Sequence, residues 1–193
     1  MFKEIIKPSL VLMIITIVAG FGLSVVYAIT REPAAQRMAE TVTAAMGEIF
    51  PDAQEISVEG PDVLGFEAGP EIFDLYRVSD QGDVVGYAVG SRFMGFGGTL
   101  YLLVGIDMDG QLTGVDVLRH SETPGFGGNL TQPWFTSQFA HKYGELVYVS
   151  PGTDVEDTAS NEIVGLTSST GTTRAVVQAV NNAIVYFTEN IAN

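Results

Sequence analysis

The sequence predicts an α+β domain preceded by an N-terminal transmembrane helix, and three observations carry that expectation. An uncharged apolar run opens the chain, four aliphatic strand segments fill its middle, and segments of helical spacing lie on either side of them. A chain of 193 residues, 46% hydrophobic, suffices for one anchor and one compact domain with a core, but not for a second full domain.

Between Lys7 and Arg31 no side chain carries charge. Coiled as a helix rising about 1.5 Å per residue, that run outreaches a hydrocarbon core about 30 Å thick. Val26-Tyr27-Ala28 loosely resembles a signal-peptide cleavage site, yet such peptides carry apolar cores of only about 7–15 residues, so an uncleaved anchor is expected. Lys3 and Lys7 on one side nearly balance Arg31 and Arg37 on the other, so charge alone does not orient the span.

Beyond Arg31 the cations are Arg37, Arg77, Arg92, Arg119, Lys142 and Arg174, set against every acidic residue except Glu4, within a net charge of −14. Such a surface repels nucleic acid and anionic lipid, which excludes DNA, RNA and polybasic membrane-surface roles and leaves a redox partner open. Cysteine is absent, which removes disulfides, cysteine-held iron–sulfur clusters and thiol catalysis. His120 and His141 are too few and too far apart for a metal or haem site, so no metal is expected.

After the span, Glu32-Pro33 reads as a helix start, with Ala35, Met38, Val42, Ala45, Met46 and Ile49 at helical spacing and an end before Pro51. Gly, Pro and acidic residues make 52–70 a loop with one short strand near Glu55–Val58. Strands are expected at Phe73–Val78, Val84–Gly90, Thr99–Asp107 and Gln111–Leu118, the last two joined by turn chemistry at Met108-Asp109-Gly110. Helical spacing returns at Pro133–Lys142 and from near Thr172 to Asn190. The expected division is 1–31 as N-terminus and transmembrane helix, 32–70 as a connecting helix and loop packed on the domain, and 71–193 as the domain.

Three segments carry candidate chemistry. In His120–Gly128, HSETPGFGG, three glycines permit close approach of a ligand, while Glu122 and Thr123 offer polar atoms; a plain strand-to-helix turn explains the same residues equally well. Phe93–Gly98, FMGFGG, again mixes rings with bare backbone, and a flexible hairpin with core aromatics is the preferred reading there. Thr167–Thr173 is hydroxyl at every position but Gly171, at the start of the last helix. Its free N–H groups and dipole favour a phosphate, and Arg174 adds a cation. Capping explains one such hydroxyl, not the whole run.

Taken together, the N-terminal anchor continuing into TREPAAQR, then VVGYAVG, GFGGTLYLLVGIDMDGQLTGVDVLRHSETPGFGG and the final TTRAVVQAVN resemble the G subunit of the Rnf electron-transport complex and its relative, the C subunit of the sodium-pumping NADH:quinone reductase. The resemblance covers nearly the whole chain. It implies an FMN-binding domain with a central antiparallel sheet flanked by helices. In that family FMN is held through a phosphoester to a threonine, made by a flavin transferase, within a pattern close to Asp-x-x-Ser/Thr-Gly-Ala-Thr-x-Thr/Ser-Ser.

Aligned without gaps on the RAV at 174–176, the modified threonine falls on Thr170. The Gly-Ala pair then becomes Ser168-Ser169, and the acidic position becomes Val164. A displaced register would instead make Thr173 the acceptor. The resemblance thus implies covalent FMN at Thr170, with Thr173 as second choice. Glu122, Thr123, Gly125, Phe126 and Gly127 would bound the ring, and Ser169, Gly171, Thr172, Thr173 and Arg174 would surround the phosphate. It further implies a single-pass protein of the bacterial inner membrane, N-terminus cytoplasmic and domain periplasmic, whose partners are lipid and the other membrane and soluble Rnf subunits. Such a protein passes electrons during ferredoxin/NAD oxidoreduction coupled to Na⁺ or H⁺ movement and is catalytically incomplete alone. The departures at Val164, Ser168 and Ser169 keep open a flavin-free assembly or binding protein of the same fold; a stand-alone FMN reductase module is the third reading.

Overall fold

The computed structural model describes residues 2–53, 56–153 and 160–192. Within the first helix the side chains of residues 30–39, Ala35 and Met38 among them, lie outside the described set, as does Glu55, the expected start of a strand.

Helix α1 runs Phe2–Ile49 as one element. The helix start expected at Glu32-Pro33 is therefore not a boundary: Pro33 lies inside α1, where it deprives the helix of one N–H without ending it. Ile6–Ile29 is a stretch of mean hydropathy 2.5, long and apolar enough to cross a membrane, and none of it is buried. Two of its hydroxyls are satisfied inside the helix, Thr16 donating to the Leu12 carbonyl and Ser24 to the Gly20 carbonyl, each at 2.9 Å. The chain divides into two compact units, Met1–Thr41 and Val42–Asn193.

The second unit is an α+β domain around a five-stranded antiparallel sheet in sequence order. Its strands are β1 Ile56–Glu59, β2 Ile72–Asp80, β3 Asp83–Met94, β4 Thr99–Asp107 and β5 Leu112–Arg119, with the short helix α2 at Pro61–Leu64. Asp107 makes the β4–β5 hairpin, its Oδ1 accepting from the N–H groups of Asp109 and Gln111 at 2.9 and 2.8 Å, while Gly110 supplies a φ of 84°.

Both faces of the sheet are covered, which is why β4 is buried along most of its length instead of alternating. One face takes the last turns of α1, where Val42, Ala45, Met46, Ile49 and Phe50 pack on Val78, Ala88 and Leu103. Gly105 makes that approach possible, since a Cβ there would fall 2.0 Å from Ile49 Cγ2. The other face takes α4, Thr170–Asn190, whose Ala175, Val176, Ala179, Val180, Ala183 and Phe187 join Leu102, Val104 and Ile106 in the larger core. Each valine, leucine, isoleucine or phenylalanine among them contributes about 1.5–3 kcal/mol when fully buried. The Ser91 hydroxyl, donating to the Ala179 carbonyl at 2.7 Å, ties β3 to that helix.

Between β5 and α4 the chain departs from expectation. The helix foreseen at Pro133–Lys142 is α3, Pro133–Thr136, plus a 3-10 turn at Ser137–Phe139. It stops because His141 takes a φ of 63° and its backbone pairs with Leu112, N–H to carbonyl at 2.8 Å. Phe135 and Phe139 are buried as their spacing suggests, but Trp134 stays 54% exposed. Two short parallel strands follow, β6 Val147–Val149 and β7 Glu162–Val164.

Candidate functional site

Three segments meet at one cleft of about 590 Å³. Phe96 comes from the β3–β4 connection, Glu122, Thr123, Phe126 and Gly127 from the chain leaving β5, and Ser168 to Thr172 from the start of α4. The middle segment is a tight turn built on one carbonyl: the N–H groups of Phe126 and Gly128 both donate to Thr123 O, at 3.2 and 3.0 Å. Gly125 closes the turn with a φ of 78° in open space, a conformation that costs glycine little.

Glu122 joins the three segments. Its side chain is 6% exposed, and each oxygen meets a different donor. Oε1 accepts from the Gly97 N–H at 3.0 Å, and Oε2 accepts from the Thr172 hydroxyl at 2.8 Å. Buried carboxylates persist where donors replace water in this way. The neighbouring glycines make room for it. A Cβ on Gly95 would come within 2.3 Å of Oε1, and one on Gly127 within 2.5 Å of Oε2 and 2.7 Å of Thr172 Oγ1.

At the start of α4 the hydroxyls divide by environment. Thr173 is fully buried, its Oγ1 donating to the Ser169 carbonyl at 3.1 Å and accepting from the Leu166 N–H at 2.9 Å. Thr172 is buried against Glu122. Thr170 is exposed at the first position of the helix, 3.5 Å from the Tyr148 hydroxyl, which donates to it. Ser169, the N-cap residue, makes no side-chain capping bond, and Ser168 before it holds a φ of 61°. Arg174, one turn on, lies with its guanidinium carbon 5.1 Å from the centre of the Tyr148 ring.

Of the residues singled out in the sequence, the cleft brings together Glu122, Thr123, Phe126, Gly127, Ser169, Thr170, Gly171 and Thr172. Gly125, Thr173 and Arg174 do not line it. Sequence reasoning missed Phe96, Ser168 and Tyr148. The expectation of core aromatics in Phe93–Gly98 holds for Phe93, which packs on the core, but not for Phe96, which is 86% exposed at the cleft. The glycines around Phe96 were the available signal, because they let this connection close on Glu122. Among the described residues no group of three or more His, Asp or Glu side chains is placed to hold a metal ion.

The cleft's three segments fall within residues 95–185, which match the model of the FMN-binding domain family. Over 95% of its length the chain is 34% identical to the G subunit of the Na(+)-translocating ferredoxin:NAD(+) oxidoreductase complex of Acetobacterium woodii, covering 91% of that protein. It is 31% identical to the G subunit of the ion-translocating oxidoreductase complex of Methanosarcina acetivorans, with 95% of each chain aligned. The fold resembles the crystal structure of NqrC from Shewanella oneidensis, with a TM-score of 0.52 and 25% identity over 57% of this chain and 54% of that one. The C subunit of the Na(+)-translocating NADH-quinone reductase from Parabacteroides distasonis superposes with the same TM-score at 22% identity, over 60% of this chain and 61% of that one. With an apolar N-terminal helix, an FMN-binding fold and G-subunit relatives that align over 95% of its length, the chain belongs to the family of the Rnf complex G subunit and the NADH:quinone reductase C subunit.

Proposed function

We propose that this membrane protein is a flavin-carrying subunit of an Rnf-type ion-translocating oxidoreductase complex, with FMN joined to Thr170 by a phosphoester and its ring in the cleft. The carrying observation is the contrast between two threonines of α4: Thr170 is exposed at the cleft, whereas the Thr173 hydroxyl is buried and already engaged as both donor and acceptor. Ser168 supports the same register. The ungapped alignment sets it where the family pattern has glycine, and its φ of 61° is one that glycine adopts without strain.

The residues present fit FMN. A volume near 590 Å³ lies within the usual range for cofactor sites, about 300–1,000 Å³. Phe96 and Phe126, 86% and 55% exposed, offer ring faces for a planar group. The α4 N-terminus, with Arg174 one turn on, presents N–H groups and positive charge to a phosphate. When bound, FMN supplies the redox chemistry, and the domain sets its position and solvent access. Glu122 holds the Phe96 connection and α4 together beneath the cleft, and Thr123, Phe126 and Gly127 of the turn wall one side.

The two G-subunit relatives belong to ion-translocating oxidoreductase complexes, one of them acting on ferredoxin and NAD⁺. By that kinship the chain is one redox station among several in its complex, matured by a flavin transferase and incomplete as a catalyst alone. Its N-terminus lies in the cytoplasm and its acidic domain outside the membrane. The test is peptide mass spectrometry on full-length protein made in a transferase-competent host. An FMN-sized adduct on the peptide containing Thr170, lost in Thr170→Val and kept in Thr173→Val, is expected. Wild-type protein without any adduct would leave a flavin-free assembly protein as the better reading.

A further inference from the structure

Beside the attachment threonine stands a side chain with no role so far. Tyr148 occupies the middle of β6, paired with Ile163 of β7. Strands of three residues are too short to persist unaided, and this pair is fastened from outside. The Gly165 N–H donates to the Val149 carbonyl at 3.0 Å. The Gln138 amide brackets Val164, accepting from its N–H at 2.8 Å and donating to its carbonyl at 3.3 Å.

What this fastening delivers is the Tyr148 ring, set between three groups. Behind it is Gly165, where a Cβ would fall 2.5 Å from Cε2 and 3.3 Å from Oη, so only a glycine leaves the ring its place. The Arg174 guanidinium lies over the ring, 5.1 Å from its centre, within the range of a cation–π contact. The hydroxyl donates to Thr170 Oγ1 at 3.5 Å.

We propose that Tyr148 is a positioning residue for flavin attachment, holding at once the oxygen that forms the ester and the cation that meets the phosphate. This rests on the reading that Thr170 carries FMN. In the attachment step the Thr170 O–H bond breaks and an O–P bond forms. Hydroxide is a poor leaving group from a phosphate monoester, so the donor must be a flavin pyrophosphate, a flavin dinucleotide. Its P–O–P bridge breaks and a nucleoside monophosphate departs, while the threonine proton passes to a base of the transferase or to water. No electrons are transferred. Tyr148 holds Oγ1 in one place before the bond forms, and its O–H still faces the ester oxygens afterwards. A mobile guanidinium would lose conformational entropy on meeting the phosphate; one already stacked on a ring loses less.

The experiment measures the initial rate of flavin transfer onto purified full-length chain in detergent, with the transferase and flavin adenine dinucleotide, read by in-gel fluorescence and adduct mass. Melting temperatures of the unflavinylated variants are taken alongside. Tyr148→Phe keeps the ring and loses one long hydrogen bond, so its rate should fall roughly 2- to 5-fold at an unchanged melting temperature. Tyr148→Leu loses the ring contact as well and should fall about 10-fold or more. Because Tyr148 acts partly through Arg174, the Tyr148→Leu/Arg174→Gln double variant should lose less than the product of the single losses. Wild-type rates in both Tyr148 variants would overturn the proposal while leaving attachment at Thr170 standing. So would a Tyr148→Leu defect that follows its melting temperature and multiplies independently with Arg174→Gln, since that is a merely structural role. Wild-type chain that takes up no flavin would remove the attachment reading and this inference together.

Discussion

The Thr172 hydroxyl donates to Glu122 Oε2 over 2.8 Å, joining the first turn of α4 to the turn that follows β5, and the second oxygen of the same carboxylate takes the Gly97 N–H. Both ends of this clasp are buried, so breaking either leaves a polar atom without water or partner, a cost of about 1–3 kcal/mol. Thr172→Val should lower stability by that amount. Glu122→Met should cost at least as much, because it removes the acceptor of both the buried Thr172 hydroxyl and the Gly97 N–H. Since both variants lose one shared bond, their effects should not add, and a double-mutant cycle in thermal unfolding of the full chain checks it. Additive losses would mean the two side chains act separately.

The two threonines proposed as alternative attachment points should also differ in stability. Thr173→Val strands the Leu166 N–H and removes a donor to Ser169, for a loss of about 1–3 kcal/mol, or several degrees in melting temperature for a domain of this size. Thr170→Val alters an exposed position and should stay within about 0.5 kcal/mol of wild type. Comparable destabilisation by both would contradict the environments described for them.

Ser168 offers a change of opposite sign. Its φ of 61° lies in the left-handed region, which costs an L-residue roughly 1–2 kcal/mol and glycine almost nothing. Gain from relieved strain exceeds glycine's larger unfolded-state entropy, so Ser168→Gly should raise stability by about 0.5–1 kcal/mol. Flavin attachment should continue. A drop in melting temperature would show that the serine side chain supports the turn before α4.

Away from the cleft, Asp74 should make stability depend on pH. Burial raises its pKa above the ordinary 3.8; the Tyr76 hydroxyl and the Leu75 N–H, both donating to it, and the more distant charge of Asp62 modify that rise without reversing it. Between 3.8 and the raised value the folded protein holds a proton that the unfolded chain has released, so stability falls as pH rises through that window. Relative to Asp74→Asn, wild type should therefore be most stable at the acid end and lose that margin with rising pH. A margin that grows with pH would reverse the sign of the shift.

The parts of the fold legible in the sequence were those set by local chemistry. The Asp107–Gln111 turn, the aliphatic strands beside it and the apolar stripe of α4 each depend on residues within a few positions of one another. What was not legible depends on distant partners. β6 and β7 have three residues each, too few to show a period, and their pairing leaves no trace in either segment alone. The exposure of Phe96 follows from how its glycine-rich connection closes on a carboxylate 26 residues away, and a ring beside glycines reads equally well as core. The candidate site was half visible in the same sense. Its glycine turn and hydroxyl run each stood out, but the bond between Glu122 and Thr172 spans fifty residues and became apparent only with the fold.

Gly125 and Gly127, two residues apart in one turn, are glycine for different reasons, and substitution should separate them. Gly125 has open space where a Cβ would stand but a φ of 78°, so Gly125→Ala carries only the backbone penalty, about 1–2 kcal/mol. Asparagine, which tolerates that region, should recover part of it. Gly127 has no positive φ; its Cβ would collide with Glu122 Oε2 and Thr172 Oγ1, the two atoms of the clasp. Gly127→Ala should therefore push Glu122 and Thr172 apart, and asparagine there should be worse still. The two substitutions should diverge in flavin spectrum as well as in stability. Gly127→Ala displaces the floor of the cleft and should shift the absorbance of the bound flavin, while Gly125→Asn should leave it near wild type. A spectrum unchanged in Gly127→Ala, with the protein folded, would show that the clasp does not set the surroundings of the ring.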